Sequence, residues 1–304
     1  MMRALIHDPS VPSGLRLASV AEPQPRPGHV LVDIQAISLN FGEVAFRHGQ
    51  EPGSIVGWDA AGTVRTGELA GCRVVTFGWG GGWAERRAVD VEDLAVVPEP
   101  VDLGAASTLP VAGVTALRAL RRLGSVVGRR ILVTGASGGV GRFAVQLAAH
   151  AGAHVIAAVG SAARGAGLTD LGAAEVVVGL HSLTQPVFGV LENVGGDHLA
   201  KAFDLLVDGG TVQSIGMASS QPTTIDFEQA RLTGGRKRVE SFTVGTERFG
   251  ADLAYLVGLL ADGKLDPQIG WRGSWERAPD AVEALLARRV PGKAVLDLRP
   301  AGQS

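Results

Sequence analysis

Between positions 131 and 141 the chain reads Ile131-Leu132-Val133-Thr134-Gly135-Ala136-Ser137-Gly138-Gly139-Val140-Gly141. The short apolar run predicts a buried strand and the glycine-rich segment a tight turn. Residues 140–150 predict an amphipathic helix, with Val140, Ala144, Leu147 and Ala148 on one face. A second apolar run at 154–159 then closes a strand–helix–strand unit of about thirty residues, which demands a parallel sheet and a right-handed crossover. A phosphate-binding loop needs small residues at the tight turn, at the approach to the pyrophosphate and at the helix–strand contact. Ala136, Gly138 and Gly141 occupy those places, alanine standing for the first glycine. The helix start near Gly139 offers unpaired N–H groups and a positive dipole end to phosphates. The plainer alternative is a glycine-rich turn with no nucleotide, and the strand-before, helix-after context argues against it.

The alternation continues through a helix near 168–171, strands at 175–178 and 188–191, a helix at 199–206 and strands at 211–215 and 239–244. This is the pattern of a doubly wound α/β domain with a parallel sheet over residues 111–245. The first third differs: short β-branched runs at 3–7, 30–36 and 72–77, stiffened by Pro23, Pro25 and Pro27 and broken by glycines, predict a β-rich domain ending near 110. Beyond 245 come helices at 253–260 and 278–286 and a strand at 294–298 that returns to the first domain's sheet. The expected domains are therefore residues 1–110 plus 246–304, and residues 111–245.

The second strand of the nucleotide unit ends Ala158-Val159-Gly160-Ser161, and no acid follows until Asp170. An NAD site ordinarily has Asp or Glu there to hold the ribose hydroxyls. Ser161 and Arg164 instead offer a hydroxyl and a guanidinium to a 2′-phosphate, so the expected cofactor is NADPH. The competing reading leaves Arg164 as a solvated surface arginine.

Composition narrows the function classes. Lys and Arg total 28 against 30 Asp and Glu, a net charge of −2, which argues against a nucleic-acid partner. No apolar stretch approaches the roughly 18 residues of a membrane span. Asp8 comes too early for a secretory signal. Cys72 is the only cysteine, which excludes an internal disulfide and a cysteine-rich zinc site. The expected setting is cytoplasmic.

Five segments in all carry a resemblance. Ile37-Ser38-Leu39-Asn40-Phe41, Gly57-Trp58-Asp59-Ala60-Ala61-Gly62, the stretch Leu109-Pro110-Val111-Ala112-Gly113-Val114-Thr115-Ala116, the phosphate loop and Pro291-Gly292-Lys293-Ala294-Val295-Leu296 occur in the order found in the zinc-independent quinone oxidoreductase branch of the medium-chain dehydrogenase/reductase family. Nearly the whole chain resembles that branch. The resemblance implies a Rossmann domain inserted into a GroES-like domain, with nicotinamide near Asn40, Val111, Thr115, Gly216 and Met217. Asn193 would line the cofactor, and a homodimer is the default assembly. With the loop itself, the cofactor residues become Val111, Thr115, Ala136, Ser137, Gly138, Gly139, Val140, Gly141, Ser161, Arg164, Asn193, Gly216 and Met217.

Two departures shape the chemistry. Zinc alcohol dehydrogenases of the family carry Cys where this chain has Asn40 and His where it has Trp58, and neither replacement binds zinc as thiolate or imidazole does. Gly42-Glu43 replaces the usual Arg-Asp after the asparagine. No metal is expected, and the partner is a small-molecule hydride acceptor that needs no Lewis acid: a quinone or an α,β-unsaturated carbonyl. Asn40 is the candidate catalytic amide, and Phe41, Trp58 and Trp79, with Trp83 beside them, are candidates for an apolar pocket wall. Asp59 is expected to be structural, Tyr255 to pack, and His7 and His48 to be surface or core. Arg236-Lys237-Arg238 reads as a solvated edge or a dock for an anionic tail. Two alternatives remain: an enoyl-thioester reductase, and a non-catalytic NADPH-binding or redox-sensing protein.

Overall fold

The computed structural model describes residues 1–46, 49–245 and 247–298, so His48 lies outside the described residues. The chain divides into two compact units, Met1–Val114 with Thr246–Ser304, and Thr115–Gly245.

The first unit begins with the antiparallel pair β1 (Met2–His7) and β2 (Leu15–Val20). There follow β3 (His29–Leu39), the short helix α1 (Phe41–Ala45), β4 (Asp59–Val64), β5 (Arg73–Phe77), β6 (Arg86–Asp90), β7 (Leu94–Val96) and α2 (Leu103–Ser107). A wide turn of helix, Leu109–Gly113, completes this part. The Val111 N–H donates to Asp59 Oδ1 (3.1 Å) and ties this turn to the first unit, which runs to Val114.

The second unit holds α3 (Val114–Arg122), β8 (Arg130–Val133), α4 (Gly139–His150), β9 (His154–Val159), β10 (Glu175–Val178), β11 (Val187–Glu192), α5 (Asp197–Asp204), β12 (Leu206–Ser214), α6 (Phe227–Thr233) and β13 (Arg238–Ser241). Its six strands are all parallel, in the order β10-β9-β8-β11-β12-β13. That is the doubly wound dinucleotide-binding order, with its switch point between β8 and β11. Both faces are covered, so the central strands are apolar throughout: Leu132, Ile156, Val190 and Val212 share one core with Phe203. The helix expected near 168–171 does not form. Turns and a single 3₁₀ segment, Ala162–Gly165, replace it, and Gly167 and Gly172 there have positive φ (76° and 100°), which an α-helix cannot accommodate.

The chain then returns to the first unit with α7 (Gly250–Ala261), β14 (Ile269–Ser274), α8 (Ala278–Leu286) and β15 (Lys293–Asp297). The sheet order is β14-β15-β3-β4-β5-β7, with β6 also on β3. The closing strand does rejoin the first sheet, antiparallel to β3. It also has a parallel partner in β14, whose Ile-Gly-Trp-Arg-Gly-Ser sequence lacks the β-branched run that marks a strand. Ile37, Leu39, Val74, Trp275 and Leu296 lie in the core of this unit.

Candidate functional site

Strand β3 runs antiparallel to both β4 and β15, so its C-terminal end meets the N-terminal ends of the other two. Ser38 lies opposite Asp59 on one side and Val295 on the other. Asn40, which starts α1, therefore stands beside Asp59 and Lys293. Glu43, three residues into α1, reaches back to the Asn40 N–H through Oε2 (3.1 Å), half of a capping box.

Four charged side chains are buried together here. Lys293 Nζ donates to Leu39 O (3.0 Å), Asn40 Oδ1 (2.5 Å) and Asp59 Oδ2 (3.4 Å), so all three ammonium hydrogens are used. Asn40 Nδ2 donates to Glu43 Oε2 and to Asp59 Oδ2, both at 2.8 Å. Asp59 Oδ2 also accepts from the Ser38 hydroxyl (3.0 Å). Glu43 Oε1 accepts the Trp58 N–H at 2.6 Å. Arg87, on β6, donates to Trp58 O (2.9 Å), Thr76 Oγ1 (3.1 Å) and Gly80 O (3.1 Å).

Burial governs the electrostatics. It pushes the Glu43 carboxyl up to about 8, with the Asp59 charge adding to the effect. Burial also raises Asp59, but Asp59 collects donors from Lys293, Asn40, Ser38 and Val111. Of the two, Asp59 is the better-served anion and Glu43 the proton holder. Lys293 is lowered by burial, and Arg87 is pulled down to about 10 by the same cause.

The second unit presents the glycine-rich loop after β8. Gly135 has φ of +58°. A Cβ on Gly141 would run into the Gly135 carbonyl oxygen and come within 2.6 Å of Ala136 Cα, so α4 can pack this close to β8 only with glycine there. No side chain caps α4 at Gly138, which leaves its first-turn N–H groups to an outside acceptor such as a phosphate. The loops after β11 and β12 close around the same strand ends. Asn193 donates through N to Thr134 Oγ1 and through Nδ2 to Thr134 O, both at 2.9 Å. Gly216 lies so near Asn193 O that a Cβ would approach it to 2.7 Å. The buried Glu192 carboxylate accepts from Thr134 Oγ1 (2.8 Å) and from Val194 N and Gly195 N (2.9 Å each).

A family profile described as zinc-binding dehydrogenase matches residues 139–260. The chain is 32% identical over 301 residues to a probable acrylyl-CoA reductase of Escherichia coli, covering 88% of this chain and 91% of that one. It is 31% identical over 332 residues to a chloroplastic quinone oxidoreductase of Triphysaria versicolor, covering 98% of each. The chain belongs to the quinone oxidoreductase branch of the medium-chain dehydrogenase/reductase family. The solved structure of a quinone oxidoreductase from Coxiella burnetii has the same fold, with a TM-score of 0.84 at 27% identity over 98% of this chain and 99% of that one.

This medium-chain dehydrogenase/reductase is an oxidoreductase, and its expected site residues fall into distinct places. Ala136, Ser137, Gly138, Gly139, Val140 and Gly141 form the loop and first turn of α4. Ser161 and Arg164 are exposed just beyond β9. Asn193 and Gly216 adjoin one another, Met217 is exposed, and Thr115 is buried on α3. In the first unit, Trp58 and Trp79 meet edge to face at 5.3 Å, and Trp79 is 58% exposed. Phe41 packs against Phe46 (centroids 6.4 Å apart). Trp83 is buried in the core, which corrects the expectation that it shares a pocket wall.

Three residues of the cluster carried no functional expectation: Glu43, Arg87 and Lys293. Lys293 lies 253 positions from Asn40, a pairing no local pattern reveals. The basic run 236–238 is engaged at its own sheet edge. Arg236 pairs with Asp208 (3.1 Å), Lys237 Nζ donates to Asp204 O (2.8 Å), and Arg238 donates to Thr211 Oγ1 (3.1 Å). Among the described residues no group of three His, Cys, Asp or Glu side chains is placed to hold a metal ion. No helix among them is long and apolar enough to cross a membrane.

Proposed function

We propose that the protein is an NADPH-dependent, zinc-independent reductase that delivers hydride to a quinone or an α,β-unsaturated carbonyl. The observation that carries this reading is the Lys293 ammonium on Asn40 Oδ1 and Asp59 Oδ2. The oxygen donors that a metal would need at this end of the sheet already hold a cation, and the Trp58 indole has no lone pair to offer. The donor set does not fit zinc. Chemistry that relies on a Lewis acid is replaced by chemistry on an acceptor electron-poor enough to take hydride directly.

The second unit fits a dinucleotide. The uncapped start of α4 and the glycine approach at Gly141 accept a pyrophosphate, and Ser161 and Arg164 would hold a 2′-phosphate through charge-assisted hydrogen bonds. Bound NADPH would supply the hydride. With Glu43 protonated, Lys293 and Arg87 outweigh Asp59 by one positive charge, a bias toward an oxygen that gains negative charge in the reaction. Both Asn40 amide hydrogens are committed to Glu43 and Asp59. Asn40 therefore acts by holding this network in place, and its amide reaches a substrate oxygen only when one carboxyl lets go. The exposed Trp79 with Trp58 supplies an apolar wall for a planar acceptor. The protein would act in the cytoplasm as a homodimer, a setting consistent with a single cysteine.

A second reading, reduction of an enoyl thioester, is favoured by the likeness to a probable acrylyl-CoA reductase. The deciding experiment follows oxidation of NADPH and of NADH at their absorbance band with quinones, simple enones and enoyl thioesters side by side. Faster turnover of quinones or simple enones with NADPH supports the proposal. Saturation by enoyl thioesters alone would replace it with the second reading, and no turnover of any acceptor would leave a binding protein.

A further inference from the structure

Glu43 of the Asn40 cluster also lines a small cavity, with Leu15, Val44, Gln50, Val56 and Trp83. It gives the centre of a water molecule about 10 Å³, the room that one buried water needs. Two of its lining side chains have buried polar atoms that meet no partner among the described residues: Gln50 Oε1, an acceptor, and Trp83 Nε1, a donor. Such atoms are uncommon in folded proteins, and a shared water is the ordinary way of satisfying them. The third polar lining group is Glu43, whose Oε1 and Oε2 already receive Trp58 N, Asn40 N and Asn40 Nδ2. One water, accepting from Trp83 Nε1–H and donating to Gln50 Oε1, has one further hydrogen and one lone pair for the Glu43 carboxyl. That makes three to four bonds, the usual number for a buried water.

We propose that this cavity is a site for a single water molecule held by Trp83, Gln50 and Glu43, and that this water is the route by which Glu43 exchanges its proton. Glu43 is buried while Gln50 is half-buried, and Gly49, Glu51 and Pro52 next to it are exposed. The water thus stands between a sealed acid and the surface. On release, the Glu43 O–H bond breaks and the proton joins the water, which gives up one of its own hydrogens on the Gln50 side to solvent. The carboxylate keeps the electron pair and nothing is oxidised. The charged groups facing Glu43 are Asp59, Lys293 and Arg87, and its loss of a proton changes how firmly it holds the Asn40 amide. This inference stands whether or not the acceptor is a quinone.

The test is infrared spectroscopy of the full chain in H₂O and D₂O, reading the carbonyl stretch of a protonated carboxylic acid. At neutral pH the wild type should show such a band, and Glu43→Gln should remove it. Gln50→Leu and Trp83→Phe should keep the band, raise its frequency, and slow its shift on transfer to D₂O by about tenfold, the effect of losing one hydrogen bond of typical net strength. Gln50→Leu serves if the tryptophan variant fails to fold. A band unchanged in Glu43→Gln would overturn the proposal, as would wild-type exchange rates in Gln50→Leu. A crystal structure should place one water oxygen within hydrogen-bond distance of all three side chains, and a dry cavity there would refute it.

Discussion

Glu43→Gln reads the buried cluster as a stability measurement. Burial, helped by the neighbouring Asp59 charge, lifts this carboxyl from its ordinary 4.5 to about 8. Between those values the folded protein binds a proton that the unfolded chain does not, so stability falls as pH rises across the interval. Below about 4.5 both states are protonated and nothing is lost, and above about 8 the loss is complete. At about 1.4 kcal/mol per tenfold change in proton affinity, the full interval is worth at most about 5 kcal/mol. Charge shared with Asp59 and Lys293 brings the expected figure to about 2–4 kcal/mol. Glutamine cannot ionise, so this part of the pH dependence disappears in the variant. It keeps a carbonyl for either the Asn40 or the Trp58 N–H but turns an N–H toward the other, a cost of about 1–3 kcal/mol at every pH. Urea unfolding from about pH 5 to about pH 9 should show the wild type losing about 2–4 kcal/mol more than the variant. Asp59 is present in both proteins, so their difference reads Glu43 together with its charge interaction with Asp59. Parallel curves would refute the assignment of the proton to Glu43.

Further outcomes follow from the same geometry. Lys293→Met leaves Asp59, Asn40 Oδ1 and Leu39 O without their shared donor, and chemical denaturation should show a loss of about 3–5 kcal/mol. A loss under 1 kcal/mol, roughly the worth of an exposed ion pair, would mean that the ammonium is not integral to the cluster. Gly141→Ala forces a methyl group against the Gly135 carbonyl and Ala136. A drop of about 1–3 kcal/mol with weakened dinucleotide binding is expected, and unchanged thermal stability and titration would contradict the close approach. Arg164→Ala should raise the KM for NADPH about tenfold or more, the value of a hydrogen bond to a charged group. The KM for NADH should hardly move, and equal effects on both cofactors would sink the 2′-phosphate assignment.

Much of the fold was legible because its signals are local. The glycine-rich turn after β8, α4 and β9 follow from apolar periodicity and glycine placement within about thirty residues. The helix expected at 168–171 failed where local apolar content met Gly165, Gly167 and Gly172, whose backbone freedom decided for turns. Strand β14 was missed for the opposite reason. Its glycines and arginine give no β signal, and its conformation is imposed by pairing with β15, a case of tertiary context overriding propensity.

The site divides along the same line. The glycine-rich turn after β8 was readable because its tight backbone is written in consecutive small residues. The ion cluster was not, because its members come from β3, α1, β4, β6 and β15 and meet only through strand register. Asp59 gave part of the answer. Expected to be structural, it does hold together Ser38, Asn40, Val111 and Lys293. The signal that pointed to the rest was the Gly42-Glu43 departure. A longer acid in that place reaches both Asn40 and the Trp58 backbone, and burying a second carboxyl beside Asp59 requires either another cation or a retained proton. Lys293 already spends its three hydrogens on Asp59, Asn40 and Leu39, and Arg87 donates to neutral oxygens alone. Glu43 is therefore left to keep its proton, and the charge of the whole cluster turns on one residue that local sequence presents as an ordinary helix acid.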